Sequence, residues 1–257
     1  MIEPDKPFLL FERANLEEAK GNNEKALDYF KDFIKKYPDD YEGYKKCISL
    51  LKKMEKLKEA KELSTVFIEK FPRSTMALYY RGLISYRLEQ YKEAKIDLEK
   101  IVGLDNKFDC YSLLSYVDLC SKNWSETITD TNKYEKIFGF EDKSQAVHIT
   151  ALVRWYAQKK MGNYEEAASV LKTAREKLPR VWPYPIVEFL SGNISNTELL
   201  KQAKSNDDET EARTWLGASL LLEGRKSEAR EQLNWVIEKG NQSFYEIPLA
   251  KSMLKEI

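Results

Sequence analysis

Residues 74–106, STMALYYRGLISYRLEQYKEAKIDLEKIVGLDN, carry apolar and small residues at spacings that predict one helix, a tight turn and a second helix. Gly82 and Ala94 lie twelve residues apart, one in each helix, and side chains of so little volume let two helix backbones approach closely. The same pattern returns every thirty-four residues. Ala26, Ala60 and Ala94 fall at that interval, and Pro38 and Pro72 each follow their alanine by twelve. Such a period is the signature of a helical repeat array, in which each hairpin buries its apolar face by stacking on the next.

Composition agrees with an all-α chain. Of 257 residues, 33% are charged and 42% hydrophobic, while ten glycines and eight prolines leave little room for a turn-rich sheet fold. Lys plus Arg equals Asp plus Glu at 42 each, so no overall field draws the chain to nucleic acid or anionic membrane. No apolar run approaches the roughly twenty residues that span a bilayer. The amino end, MIEPDKPFLLF, shows no basic region followed by an apolar core and no cysteine placed for lipid attachment. A cytoplasmic location is the expectation.

Chemistry-bearing residues are sparse. Cys47, Cys110 and Cys120 form no CxxC pair, and His148 is the only histidine; neither a metal site nor a cofactor is expected. No nucleophile has a histidine at a recognisable spacing, and neither HExxH nor a phosphate-binding loop occurs. Adjacent carboxylates such as Glu165 and Glu166 point about 100° apart on a helix rather than into one site. The chain reads as non-catalytic.

On the residues of this register the chain resembles the tetratricopeptide family, whose pattern asks for a small residue in each helix, an aromatic or apolar residue after the second, and a closing proline. Its carriers are Ala14, Ala26, Phe30 and Pro38; then Tyr44, Ala60, Phe67 and Pro72; then Gly82, Ala94, Leu98 and Ile101, with Asn106 where the third proline would stand. The resemblance implies a right-handed superhelix, an α-solenoid of about six hairpins, with a concave groove that takes a peptide or helix.

Five hairpins are expected over residues 1–179. The first turns at Gly21, with Asn23 capping its second helix. The second turns at Met54 to Leu57 without glycine. The fourth is degenerate, with Tyr116 and Ile128 at the small positions; about five residues are inserted near Phe138, and Trp155 takes the small position of the fifth. Residues 180–257 form a carboxyl-terminal module: two short helices, the second capped by Ser195 or Asn196, an acidic loop at Asp207, a sixth hairpin with Gly217 and Ala229 twelve apart, and a last helix from about Ser243 to Lys255 that covers the stack. Through Trp182, Pro183, Pro185, Gly192, Glu211, Leu216, Gly217 and Phe244 this module is similar to the ending of tetratricopeptide lipoproteins typified by NlpI, without their lipid-bearing cysteine. That likeness implies an adaptor with docking or homodimerisation through the carboxyl module.

Helical spacing places i, i+3, i+7 and i+10 of each first helix on one face. In the quoted repeat these are Met76, Tyr79, Leu83 and Tyr86; flanking repeats supply Phe8, Asn15, Lys45, Lys52, Leu113 and Tyr156 among others. A peptide-binding groove over Asn15, Lys45, Met76, Tyr79, Leu83, Tyr86, Leu113 and Tyr156 is therefore expected, its tyrosines offering large contact area with polar tips. The same stripes read equally as core facing neighbouring helices or a returning tail. The carboxylate clamp of one tetratricopeptide subclass keeps only Asn15; Phe11, Lys46, Met76 and Tyr80 hold its other places. The function expected is a protein-interaction scaffold or adaptor. A homo-oligomeric structural protein and a chaperone for secreted or membrane subunits are the alternatives.

Overall fold

The structure, a computed structural model, describes residues 7–105, 110–140 and 146–257. Among these lie fifteen helices and no strand: α1 Pro7–Ala19, α2 Asn23–Lys36, α3 Tyr41–Lys53, α4 Leu57–Lys70, α5 Thr75–Arg87, α6 Tyr91–Leu104, α7 Tyr111–Cys120, α8 Trp124–Phe138, α9 Ala146–Lys160, α10 Tyr164–Lys177, α11 Tyr184–Leu190, α12 Asn196–Gln202, α13 Asn206–Leu222, α14 Lys226–Lys239 and α15 Glu246–Leu254. The Phe8 side chain, the repeat end at Asn106 and part of the insertion after Phe138 lie outside the described residues. No described helix is long and apolar enough to cross a membrane. The helices form two compact units, one ending at Leu88 and the other beginning at Glu89, between α5 and α6.

In the amino-terminal unit the repeat positions make the core. Ala14, Ala26, Phe30, Ala60 and Phe67 are completely buried. The Phe67 ring stacks on Tyr44 at 5.2 Å, and Phe30 meets Phe11 edge-on at 5.5 Å. Burying one such phenylalanine contributes on the order of 3 kcal/mol. Side chains about one repeat apart join across the surface: Lys56 to Glu24 at 2.7 Å, Arg87 to Glu55 at 2.7 Å and Lys70 to Asp39 at 3.4 Å. Each is worth roughly 0–1 kcal/mol. Their value is register, since each carboxylate finds its cation only when the hairpins stack in step.

Every repeat turn uses one left-handed residue. Gly21, Glu55, Glu89, Lys122, Gly162 and Gly224 occupy equivalent places, with φ between 58° and 81°. Three of the six are not glycine, and Glu55 falls within the second turn expected at Met54 to Leu57. The expected cap at Asn23 shifts by one. Asn22 is the residue before α2, and its side chain donates to Glu17 at 2.8 Å instead of capping. Asp40 and Ser74 do cap α3 and α5, accepting from the backbone of Gly43 and Ala77.

In the carboxyl-terminal unit the regular hairpins are α7–α8, α9–α10 and α13–α14, with the seven-residue α11 and α12 between the last two. Ser195 and Glu198 form a reciprocal capping box at α12. The acidic loop expected at Asp207 is instead the first turn of α13, opened by a second capping box of Ser205 and Asp208. Acidic side chains favour that position because the helix amino end is positively polarised. Gly217 has the packing expected of it: a Cβ there would stand 2.8 Å from the Leu233 side chain. His148 is buried, with Nε2 2.9 Å from the Pro179 carbonyl, a structural role.

Helix α15 is shorter than expected and does more than end the stack. It packs on α13 and α14, and it also returns to α7. There the Tyr116 hydroxyl donates to Glu246, the Tyr116 and Tyr245 rings meet at 5.5 Å, and the Ser252 hydroxyl donates to the Cys120 carbonyl at 3.2 Å. Every residue of α7 is buried.

Candidate protein-interaction face

The first helices of the amino-terminal unit, α1, α3 and α5, present a half-buried row of mixed character. Asn15 and Glu18 come from α1, Lys45, Lys46, Ser49 and Lys52 from α3, and Met76, Tyr79 and Tyr80 from α5. Their spacing by threes and fours keeps them on the side away from the alanines that face the second helices. Lys46 reaches Glu18 at 3.7 Å, and Lys45 is held by Glu42 at 2.9 Å and lies over the Tyr41 ring. The Ser49 and Tyr80 hydroxyls share a hydrogen bond of 3.2 Å.

Lys52 is the exception on this face. Its ammonium lies 4.8 Å from the centre of the Tyr80 ring, and no described carboxylate pairs with it. Desolvation, with the nearby Arg87 charge adding to it, pushes its pKa down to about 8. A half-buried cation left without a counter-charge loses part of its hydration with nothing to replace it, which is costly. Arg87 itself donates to both oxygens of Glu55, at 2.8 and 2.7 Å, so that carboxylate is already engaged. Beside α1 the Asn15 amide oxygen is also buried without a partner. The face thus offers an aromatic and thioether surface, one unsatisfied acceptor and one cation that a ligand carboxylate would satisfy.

The sequence-predicted groove residues divide between surface and core. Asn15, Lys45, Met76 and Tyr79 are half-buried and lie on this face. Leu83 is 7% exposed and Tyr86 fully buried, so both belong to the core of α5. In the carboxyl-terminal unit Leu113 is fully buried and Tyr156 is 1% exposed, with burial pushing the Tyr156 hydroxyl pKa up. These four are corrected from groove to core. For α7 the reason is that α6, α8, α9 and α15 all pack on it, leaving none of its residues exposed. Lys52 stands on the predicted α3 stripe, but its importance was invisible in sequence because Tyr80 and Arg87, which desolvate and repel it, come from the next repeat. Cys47, Cys110 and Cys120 are all buried thiols, with Cys47 pushed up to about 12 by burial, where they are unreactive.

The backbone aligns with solved helical-repeat structures. A tetratricopeptide repeat protein from Parabacteroides merdae ATCC 43184 superposes with a TM-score of 0.67 at 17% identity, over 97% of each chain. By sequence, residues 9–40, spanning α1 and α2, match the family model described as tetratricopeptide repeat. The fold is a tetratricopeptide-repeat fold. Two structures of MamA are similar to this tetratricopeptide array as well, one at TM-score 0.60 and 19% identity over 66% of this chain and 91% of that one. The other gives 0.57 and 20% over 64% and 93%. Identities this low carry likeness of fold and nothing further. Among curated proteins none matches the chain.

Proposed function

We propose that this chain is a non-catalytic protein-interaction scaffold that binds a carboxylate-bearing segment of a partner on the α1, α3 and α5 face. The observation that carries the reading is Lys52, a desolvated ammonium without a counter-charge among aromatic side chains. A ligand Asp or Glu at that point replaces the lost hydration with a charge-assisted hydrogen bond, while Met76, Tyr79 and Tyr80 supply apolar contact area. The tetratricopeptide fold, widely used for protein recognition, supports the assignment as analogy. Self-association through the carboxyl-terminal module is a separate possibility that light scattering decides.

The test is to pan a random twelve-residue peptide library displayed on phage against the wild type and Lys52→Glu. Wild-type selections are expected to be enriched in Asp and Glu, and the selected peptides to lose at least tenfold in affinity for the variant. Selections without acidic enrichment, or peptides that bind both proteins equally, overturn the reading.

A further inference from the structure

The carboxyl-terminal unit contains a cavity of about 460 Å³ between α9, α10, α11 and α13, within the usual range for ligand pockets. It exists because α11 stops early: seven residues span only about 10 Å, half the length of α10, and beyond Leu190 no further turn fills the space. Trp155, Leu171, Leu190 and Leu222 give it apolar walls. Trp155, only 3% exposed, packs in the core beneath the cavity, and Leu190 and Leu222 are its more accessible apolar walls.

The mouth is cationic. Lys159, Lys172 and Arg175 line it against a single acid, Glu223. Glu223 is already engaged, accepting from Arg225 at 2.9 Å and from the Ser219 hydroxyl at 3.3 Å. Arg175 is shared with Glu188 at 3.1 Å. Lys159 lies over the Tyr164 ring at 5.1 Å, and neither it nor Lys172 has a carboxylate partner among the described residues. Two cations therefore stand unneutralised above an apolar floor.

We infer that this cavity binds the carboxyl-terminal end of an apolar polypeptide segment. A ligand that fits must hold an apolar group and an anion within one small volume. A chain end does so on a single Cα, from which the side chain and the terminal carboxylate both project; an internal acidic residue carries its charge at the tip of its own side chain, away from its apolar neighbours. The ligand's last side chain would rest against Leu190 and Leu222, and its carboxylate would meet Lys159 and Lys172. The site is separate from the Lys52 face, so either can fail while the other stands.

The probe is acetyl-Ala-Ala-Leu-Leu with a free carboxylate, compared with its carboxamide and with decanoate, titrated into the full chain labelled at leucine methyl carbons. At about 5 mM probe a site of millimolar Kd is mostly filled. The free acid is expected to shift the methyl signals of Leu171, Leu190 and Leu222, and the carboxamide to bind at least tenfold more weakly. Lys172→Glu, at an exposed position, is expected to weaken the acid at least tenfold, and Lys201→Glu on α12 to leave it unchanged. Lys172→Gln provides the milder form if the reversed charge lowers the melting temperature. Absence of shifts, equal binding of acid and carboxamide, insensitivity to Lys172, or binding of decanoate without the peptide each overturns the inference.

Discussion

The Tyr116 hydroxyl donates to the Glu246 carboxylate at 2.5 Å, joining α7 to α15 across 130 residues of sequence. Both side chains are buried. Glu211 on α13 lies in the same polar cluster, accepting from the Trp182 indole at 2.5 Å. Two hydrogen bonds thus gather α7, α13, α15 and the loop at Trp182 around one pair of neighbouring carboxyls. Removing a member leaves a buried polar group unsatisfied, so Tyr116→Phe is expected to destabilise the fold by about 1–3 kcal/mol, read from the urea midpoint.

This network makes stability fall with rising pH. Burial foremost, and then the neighbouring Glu246, Asp208 and Asp207, push the Glu211 pKa up to about 8, with the Trp182 indole opposing; burial also raises Glu246. The folded state holds these protons more tightly than the unfolded chain. Their contribution is therefore complete below the ordinary carboxyl pKa near 4.5 and is lost as pH climbs through about 8. Urea midpoints measured from pH 5 to 9 should decline, most steeply between about pH 5.5 and 7, where the unfolded carboxyl is ionised and the folded one is not, and level off above about 8; Glu211→Gln should flatten the decline. A wild-type profile that stays level across that range contradicts the assignment.

Lys122 adopts φ 62° in its turn and is exposed there. A side chain in the left-handed region costs about 1–2 kcal/mol that glycine avoids. Against this, glycine loosens the unfolded chain, and the 3.7 Å pair with Glu256 is lost. Lys122→Gly is accordingly expected to raise stability by up to about 1 kcal/mol, as its thermal midpoint will report.

Gly43 sits where α3 crosses α2, and a Cβ there would stand 2.8 Å from Ile34 and from the Phe33 ring. Overpacking of a well-filled contact typically costs about 1–3 kcal/mol. Gly43→Ala should lower the thermal midpoint, whereas Gly21→Ala should act through its φ of 81° rather than through crowding, since nothing lies within 4 Å of its would-be Cβ.

Lys52 offers a trade between stability and binding. Its folded pKa, near 8, lies below its ordinary value of 10.5. The penalty is complete below pH 8 and is relieved as pH rises toward 10.5. Lys52→Met should remove that penalty and stabilise the fold while abolishing recognition of acidic peptides. In the wild type, an acidic peptide that pairs with Lys52 should take up protons on binding near pH 8.5, visible in calorimetry as a heat that depends on the buffer's ionisation enthalpy.

The repeat was legible because its causes are local. A 3.6-residue apolar rhythm within each helix and a thirty-four-residue spacing of Ala26, Ala60 and Ala94 are properties of one stretch of chain, and all three alanines are buried as that spacing requires. The second turn, expected at Met54 to Leu57, is found there, and its left-handed residue is Glu55, held without glycine by the helices on both sides. The expected groove stripe divides by burial: Asn15, Lys45, Met76 and Tyr79 are half-buried on α1, α3 and α5, but the spacing that named them also named Leu83, Tyr86, Leu113 and Tyr156, which are core.

By itself, then, the sequence determined an all-helical array and its hairpin boundaries to within a few residues. Tertiary structure alone decided which apolar stripe meets solvent. Helical spacing states which residues share a face, not what packs against that face. For α7 the answer includes α15, supplied from 130 residues away, and for Lys52 it is Tyr80 and Arg87 from the following repeat.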